Sequence, residues 1–239
     1  MELKKWMALA VSSAAIVAVA GCGGGNSAPA KSGAASGAKV TGQVTVSGSS
    51  ALLPLAKDAA AKFKTKNPEV SLTLNAGGSG TGLKQVAEGS VNIGMSDVPA
   101  ETKLPKEKAK DLVDHKVAVL TVAPVVKKDV AETVKSLTKQ QLQDVFTAKV
   151  TNWKDVGGPD EPIVLVTRPT TSGTRALFTE LALGGKEEAS NKSLETDDSG
   201  TLMQSVAQTK GAIGYVALSY LVNNKDVAAI AIDGVAPTL

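Results

Sequence analysis

Aromatic residues, cysteine and histidine are all scarce in this sequence of 239 residues. Phe, Trp and Tyr together make up 3% of the chain, and there is one His and one Cys. Binding platforms for single-stranded nucleic acid or sugars stack their ligands on aromatic faces, so the composition disfavours such sites. A single Cys also excludes an internal disulfide and a cysteine metal cluster. The fold must therefore be held together by core packing.

A block of basic residues is also missing. The chain has 26 Lys and Arg against 23 Asp and Glu, and these residues are spread along the whole sequence. A nucleic-acid groove needs clustered Lys and Arg, so we expect no nucleic-acid partner. The apolar fraction of 43% is ordinary for a globular protein. At this length the chain can hold one large domain or two modest ones.

The N-terminal segment has the pattern of an export signal. The stretch "MELKKWMALAVSSAAIVAVAGC" contains two Lys residues, a short apolar run and then small residues ahead of Cys22. The apolar run is shorter than the roughly 20 residues of a membrane-spanning helix. "VAGC" resembles the bacterial lipobox, in which the Cys is lipidated after cleavage. We therefore expect a lipoprotein signal peptide over residues 1–21, lipidation at Cys22, and a flexible Gly-, Ser- and Ala-rich tether over residues 22–40.

Membrane attachment is expected to depend on the lipid alone. Removal of residues 1–21 takes away two Lys and one Glu, which leaves 24 basic and 22 acidic side chains on the mature chain. A nearly neutral body offers no basic patch to an anionic membrane. The expected location is extracytoplasmic, with the lipid in a bacterial membrane.

From Val40 onward, strand-like and helix-like patterns alternate. This alternation predicts an α/β fold with mostly parallel strands. The apolar, β-branched run "HKVAVLTVAPVVKK" (residues 115–128) is suited to one long buried strand. We expect two lobes joined by two crossings, which would form a hinge. The predicted first lobe contains residues 41–120 and 217–239, and the second contains residues 121–216.

Three loops rich in hydroxyl groups and Gly each join a predicted strand to a predicted helix. They cover residues 47–50, 77–82 and 171–174. A helix start leaves backbone N–H groups unpaired and carries the positive end of the helix dipole, which suits an anion. Ligands of α/β sheets bind beyond the carboxyl ends of the strands, where all three loops would converge. For any one loop, simple N-capping by Ser remains the alternative.

Two charged residues are predicted to act with these loops. Arg168 lies between a strand and Pro169 and could offer a planar fork to an oxyanion, although a surface ion pair is the alternative. Asp97, in "GMSDVPAE", ends another strand. A carboxylate repels an anion unless that anion has a proton to donate, so Asp97 favours monohydrogen or dihydrogen phosphate over fully ionised sulfate. A helix cap or a partner for Arg168 are the alternative roles of Asp97.

The chain resembles a known family, the phosphate-binding proteins of bacterial ABC phosphate importers. Six blocks match the family in order: "VSGSSALLPLA", "GGSGTGLKQV", "VNIGMSDVPAE", "VDHKVAV", "LTKQQLQDVFTAKVTNWKDVGG" and "TRPTTSGTRALF". The resemblance covers nearly the whole chain after Val40. It implies a type II periplasmic-binding-protein fold whose two lobes close on one dehydrated phosphate ion. It also implies an ABC importer permease as partner, and no catalysis.

The resemblance further implies a set of site residues. The phosphate ligands would be Ser79, Asp97 as acceptor of the phosphate proton, Arg168, Ser172, Gly173 and Thr174, with backbone N–H groups at Ala51, Leu52 and Leu53. Leu52 stands where the family often has a Thr hydroxyl, and Ser49 or Ser50 could replace it. His115 matches no ligand position, and we interpret it as structural. We expect a monomer without metal or cofactor.

Several other functions fit the sequence less well. A dinucleotide-binding "GGSGTG" loop would need a third Gly where Leu83 stands, and no Gly-Lys-Ser/Thr marks a P-loop. Ser136 and Lys139 have the Ser-x-x-Lys spacing of acyl-enzymes but lack the accompanying motifs, so we interpret Ser136 as a helix cap. Two alternatives stay open. One is a binding protein of the same fold for sulfate, molybdate or tungstate, and the other is a surface lipoprotein that has lost binding.

Overall fold

The structure is a computed structural model and describes residues 39–222 and 224–238. The predicted signal peptide, the lipidation site at Cys22 and nearly all of the predicted tether lie outside the described residues. Within those residues, no helix has the length and apolar character needed to cross a membrane.

Strands and helices alternate along the described chain, as the sequence pattern predicts. The strands are β1 Gly42–Gly48, β2 Val70–Ala76, β3 Ile93–Met95, β4 Val122–Lys127, β5 Ser136–Leu137, β6 Val164–Thr167, β7 Ser193–Glu195, β8 Ala212–Ala217, β9 Val227–Ala229 and β10 Ala231–Ile232. The α-helices are α1 Leu53–Lys66, α2 Ser79–Ala87, α3 Lys106–Ala109, α4 Lys128–Thr133, α5 Lys139–Phe146, α6 Gly173–Leu177 and α7 Ser199–Gln208. A π-helical segment, Phe178–Ala182, continues α6.

The strands form three sheets. β2, β1 and β3 make a parallel three-stranded sheet in that order. A five-stranded sheet has the order β7-β6-β8-β4-β9, in which β7, β6 and β8 are parallel and β4 is antiparallel to both of its neighbours. β10 and β5 form a short parallel pair. The predicted α/β class with mostly parallel strands is confirmed, with β4 as the exception.

The C-terminal strands join the five-stranded sheet and the β5 pair rather than the three-stranded sheet. β9 pairs with β4, and β10 pairs with β5. β9 lies beyond β4 from β8, and Val227 of β9 is buried in the same cluster as Val125 of β4. The expectation that residues 217–239 rejoin the first lobe is therefore wrong for these strands.

The long strand expected over residues 115–128 forms only in its second half. β4 begins at Val122, and no strand of the described chain pairs with the residues just before it. Val117 and Val119 are exposed, the latter completely. A β-branched run needs a neighbouring strand to become part of a sheet, and only residues from Val122 onward have one.

Two apolar clusters cover the two faces of the five-stranded sheet. Side chains alternate along its strands, so that Leu165 of β6 belongs to one cluster and Val166 to the other. Phe146, Trp153 and Phe178 fill the first cluster, and residues of α7 fill the second. A sheet buried on both faces holds the end of β6 rigidly. This fixes the backbone position of Arg168, which directly follows β6.

Two helix starts differ from the sequence interpretation. α5 is capped by Thr138, whose hydroxyl accepts the Gln141 N–H at 3.1 Å while the Gln141 side chain accepts the Thr138 N–H at 2.8 Å. Ser136 instead accepts the Gly234 N–H, so its interpretation as a helix cap is wrong. α2 begins at Ser79, within the segment 77–82 that the sequence interpretation treats as a loop.

Gly48 allows the end of β1 to lie close to β3. A Cβ atom at Gly48 would overlap the Met95 carbonyl oxygen, whereas one at Gly42 would meet nothing within 4 Å, although φ is +135° at Gly48 and +134° at Gly42. We predict that Gly48→Ala lowers the free energy of unfolding by about 1–3 kcal/mol more than Gly42→Ala does, because only the first substitution adds a steric overlap. Urea denaturation of both variants measures the difference. Equal losses would show that φ alone matters.

Candidate functional site

The loop between β1 and α1 is folded around the Ser49 hydroxyl. This oxygen accepts the backbone N–H groups of Ala51 and Leu52 at 3.1 and 3.3 Å. The Leu53 N–H donates to the Ser50 carbonyl oxygen at 3.2 Å. The three N–H groups that the family resemblance offers to a ligand are therefore engaged within the loop.

The starts of α2 and α6 lie directly against each other. The Gly80 N–H donates to the Thr171 carbonyl oxygen at 2.9 Å. A Cβ atom at Gly173 would overlap the Ser79 hydroxyl and lie 3.0 Å from the Asp97 Cβ. Since only Gly has no Cβ, the sequence at position 173 permits this approach of backbone to side chains.

The start of α6 presents backbone donors to this place. Ser172 caps the helix, because its hydroxyl accepts the Arg175 N–H at 3.1 Å. The Gly173 N–H has no acceptor among the described residues, whereas the Thr174 N–H is directed at the Asp97 carboxylate. The Ser79 N–H at the start of α2 also has no acceptor among these residues. Unpaired N–H groups at two helix starts are the arrangement that binds anions in proteins.

The Asp97 carboxylate accepts hydrogen bonds in the middle of these donors. One oxygen accepts the Ser49 hydroxyl, and the other accepts the Thr174 hydroxyl at 2.9 Å. The Asp97 N–H donates to the Ser79 hydroxyl at 3.0 Å. Burial raises the pKa of Asp97, while the hydrogen bonds from Ser49 and Thr174 and the nearby charge of Arg168 act against the rise.

The Arg168 side chain is almost completely buried, with 1% of the residue exposed. Its Nε–H donates to the Thr196 carbonyl oxygen at 3.0 Å, and Nη2 donates to the Asp197 carbonyl oxygen at 2.8 Å. Nη1 donates to the Ser199 hydroxyl at 3.2 Å, and Nη2 also donates to the Ser50 hydroxyl at 3.3 Å. Burial lowers the pKa of Arg168, but an arginine remains charged at neutral pH. Each of these acceptors is neutral, so the positive charge stays available to an anion.

The sequence contains only two arginines, and the second supports the first. Arg175 Nη1 donates to the Arg168 carbonyl oxygen at 2.7 Å. Three carboxylates surround Arg175, with Glu187 at 3.3 Å, Glu188 at 3.8 Å and Glu195 at 4.0 Å. Arg175 thus has carboxylates in direct contact, whereas the two carboxylates that act on Arg168, those of Asp97 and Asp198, make no hydrogen bond to it.

Most of the predicted site residues meet at one place. Their polar side chains are almost fully buried, apart from the half-buried Asp97. The residues brought together are Ser50, Ser79, Asp97, Arg168, Ser172, Gly173 and Thr174. Ala51, Leu52 and Leu53 lie in the adjoining loop, but with their N–H groups engaged as described above. His115, interpreted as structural, lies in the exposed segment before β4.

The sequence interpretation missed several residues that hold the site. Thr196, Asp197 and Ser199 orient Arg168, and the Tyr220 hydroxyl donates to the Ser50 carbonyl oxygen at 2.6 Å. A signal for Ser199 does exist in the sequence. The Ser-Gly-Thr triplet of the second and third predicted loops occurs again at residues 199–201, which are the first three residues of α7.

Comparison with known proteins defines the class of the chain. Residues 33–237 match the model of the PBP superfamily domain. The sheets and helices described above, with polar loops gathered at the carboxyl ends of β1, β2, β3 and β6, agree with that class.

Individual relatives narrow the class to a family. The chain is 46% identical to the phosphate-binding protein PstS of Bacillus subtilis over 99% of its own length and 78% of that protein. A solved structure described as a phosphate ABC transporter substrate-binding protein with bound phosphate, from Clostridium perfringens, is 37% identical, with a TM-score of 0.73 over 82% of this chain and 78% of that one. An ABC-type phosphate transport receptor from Vibrio cholerae is 28% identical, with a TM-score of 0.58 over 82% of this chain and 78% of its own. The chain belongs to the family of the PstS proteins.

Glu188 gives the site region a pH-dependent stability. Its side chain is completely buried and lies beside the Tyr215 hydroxyl and the Arg175 guanidinium. Burial raises the pKa of Glu188 from its ordinary value of 4.5 to about 7, and a hydrogen bond from the Tyr215 hydroxyl and the charge of Arg175 offset part of the rise. At a pH between these two pKa values, Glu188 is ionised in the unfolded chain but remains protonated in the folded chain. The free energy of unfolding therefore falls as pH rises from 4.5 to 7.

We predict that Glu188→Gln removes most of this fall, which amounts to about 3 kcal/mol at about 1.4 kcal/mol per unit of pKa. Urea denaturation of the wild type and the variant at several pH values between 4.5 and 7.5 measures it. Glu187→Gln is the matched control, because Glu187 also contacts Arg175 but is exposed. Parallel pH profiles for the wild type and Glu188→Gln would contradict the assignment.

Proposed function

We propose that this chain binds inorganic phosphate, as HPO₄²⁻ or H₂PO₄⁻, where the loops after β1, β2, β3 and β6 meet. The relatives named above are described as phosphate-binding and phosphate-transport proteins. The proposed ligands are those implied by the sequence: Ser50, Ala51, Leu52, Leu53, Ser79, Asp97, Arg168, Ser172, Gly173 and Thr174. The bound ion would then be delivered to the permease of an ABC importer.

The observation that carries the proposal is that the site contains one carboxylate, Asp97, among several groups that donate hydrogen bonds. Arg168 and the N–H groups of Ser79 and Gly173 can all donate to an oxyanion. Asp97 cannot donate while ionised, so it favours an anion that carries a proton of its own. Protonated phosphate meets both demands at neutral pH. Sulfate, molybdate and tungstate have no proton for Asp97 at that pH, so the alternative oxyanions fit this site less well.

Binding requires the polar groups to exchange partners. Thr174 now donates to Asp97, and Arg168 to Ser50, so that loops on the three-stranded and five-stranded sheets touch directly. We propose that residues from about 41 to 120 form one lobe and the residues after them the other. Separation of these lobes admits the ion. Closure then removes water, which strengthens each charge-assisted hydrogen bond.

The remaining parts of the proposal concern location and partners. We propose that the chain is extracytoplasmic, is anchored by a lipid on Cys22 and acts as a monomer. It would bind and release phosphate unchanged and would not be an enzyme. The site needs no metal or cofactor for this role, because N–H dipoles and one guanidinium can offset the charge of the ion.

We predict that Arg168→Ala weakens phosphate binding by about 2–5 kcal/mol, because it removes a buried positive charge from the site. Isothermal titration of the purified chain with phosphate measures the loss. Lys62→Ala is the control, because it removes one positive charge from an exposed ion pair on α1. An Arg168→Ala variant with the affinity of the wild type would exclude Arg168 from the site.

Asp97→Asn is predicted to weaken discrimination against sulfate, because an amide can donate a hydrogen bond where a carboxylate only accepts one. Competition between phosphate and sulfate, measured by titration, gives the ratio of the two affinities. Asp58→Asn makes the same change of charge on the exposed face of α1 and should leave that ratio unaltered. Complete rejection of sulfate by Asp97→Asn would contradict the proposed role.

A further inference from the structure

The start of α7 contacts the candidate site, although no sequence motif assigned it there. Ser199, the first residue of α7, is completely buried. Its hydroxyl accepts Arg168 Nη1–H at 3.2 Å and lies 3.0 Å from the Ser50 hydroxyl oxygen. The Ser199 N–H donates to the same Ser50 oxygen at 3.1 Å. One residue thus contacts both the cation of the site and the first loop.

The start of α7 differs from those of α2 and α6, although all three carry a Ser-Gly-Thr triplet. Here the Asp198 carboxylate caps the helix and accepts the N–H groups of Gly200 and Thr201 at 2.7 and 3.0 Å. The Ser199 N–H is taken by Ser50. The α7 start therefore has its first N–H groups occupied and a carboxylate beside it. Such an end holds side chains in place and does not attract an anion.

A buried guanidinium needs acceptors that do not neutralise it if it is to bind an anion. The Ser199 hydroxyl meets this requirement, as do the carbonyl groups of Thr196 and Asp197. A carboxylate in place of Ser199 would also hold Arg168 but would cancel its charge. The carbonyl groups hold Nε and Nη2 of the guanidinium. The contact with Ser199 holds the third nitrogen, Nη1, and so fixes the orientation of the whole group.

We propose that Ser199 is a positioning residue for anion binding. Its hydroxyl and N–H fix Arg168 and Ser50 relative to each other, across the contact between loops of the five-stranded and three-stranded sheets. This inference rests on the proposed function, since the Arg168 it positions is the proposed ligand. Tyr220 acts in the same direction, because its hydroxyl holds the Ser50 carbonyl group.

The test compares Ser199→Ala with Ser199→Thr, which keeps the hydroxyl. Ser205→Ala is the control, since it removes a half-buried hydroxyl from the same helix without a hydrogen bond to the site. Titration with inorganic phosphate should show about ten- to a hundredfold weaker binding for Ser199→Ala, the range for one hydrogen bond to a charged group. Ser199→Thr and Ser205→Ala should bind nearly as the wild type does.

A second measurement separates positioning from general stability. The chain has two arginines, so ¹⁵N spectra of the guanidinium groups contain few signals. Ser199→Ala should alter the Arg168 Nη signals, because free rotation of Nη1 averages them, while the urea midpoint stays close to that of the wild type.

The outcomes distinguish this inference from the proposed function. A wild-type chain that binds no phosphate overturns the proposed function. In that case the ¹⁵N spectra still test the contact between Ser199 and Arg168. A wild-type chain that binds phosphate, with equal affinity in Ser199→Ala, overturns the positioning role. Equal weakening in Ser199→Ala and Ser199→Thr also overturns it, since the hydroxyl would then have no effect.

Discussion

The site depends on one buried positive charge. Arg168 is removed from water at the end of β6, and such a charge is costly unless its N–H groups are paired. The structure pairs them with backbone carbonyl groups and hydroxyls, and not with a carboxylate in direct contact. The buried guanidinium therefore keeps its hydrogen bonds, and it also keeps its positive charge. This constraint requires the loop before α7 to lie against the loop after β1.

The second arginine shows the opposite solution to the same problem. Arg175 is also buried, but three Glu side chains surround it, and its contact with Arg168 is made through a backbone carbonyl group. Arg175 therefore supports the chain at position 168 without adding to the charge of the site. One cation supports the structure and the other is the proposed anion ligand, although the two arginines are only seven positions apart in the sequence.

Asp97 is the residue on which the proposed selectivity for a protonated anion depends. It accepts hydrogen bonds from loops on two different sheets, through Ser49 and Thr174. Its position depends on Gly173 and Gly48, because a Cβ atom at Gly173 would overlap the Ser79 hydroxyl and one at Gly48 would overlap the Met95 carbonyl oxygen of β3. The proposed preference for a protonated ion thus depends on glycines as much as on the carboxylate itself.

Parts of the fold could be predicted because they depend on local pattern. The alternation of β1, α1, β2 and α2 follows from apolar spacing, Gly and Pro, and the structure reproduces that order. The extent of β4 and the place of β9 could not be predicted, because strand pairing depends on which edges meet. The run before Val122 has the composition of a strand but no neighbour. Residues 227–232 have the composition of a strand whose partner the sequence does not specify.

The same division holds for the site. The sequence alone determined that hydroxyl- and Gly-rich loops open several helices, and that Arg168 and Asp97 follow strands, because these features depend on neighbouring residues. Only the tertiary structure decided that Ser199 holds Arg168, that Ser49 occupies the N–H groups of the first loop, and that Thr138 rather than Ser136 caps α5. Some of these contacts join residues far apart in the chain. Others depend on which of several nearby hydroxyl groups accepts a backbone N–H. Packing decides between them, and packing is a property of the whole fold.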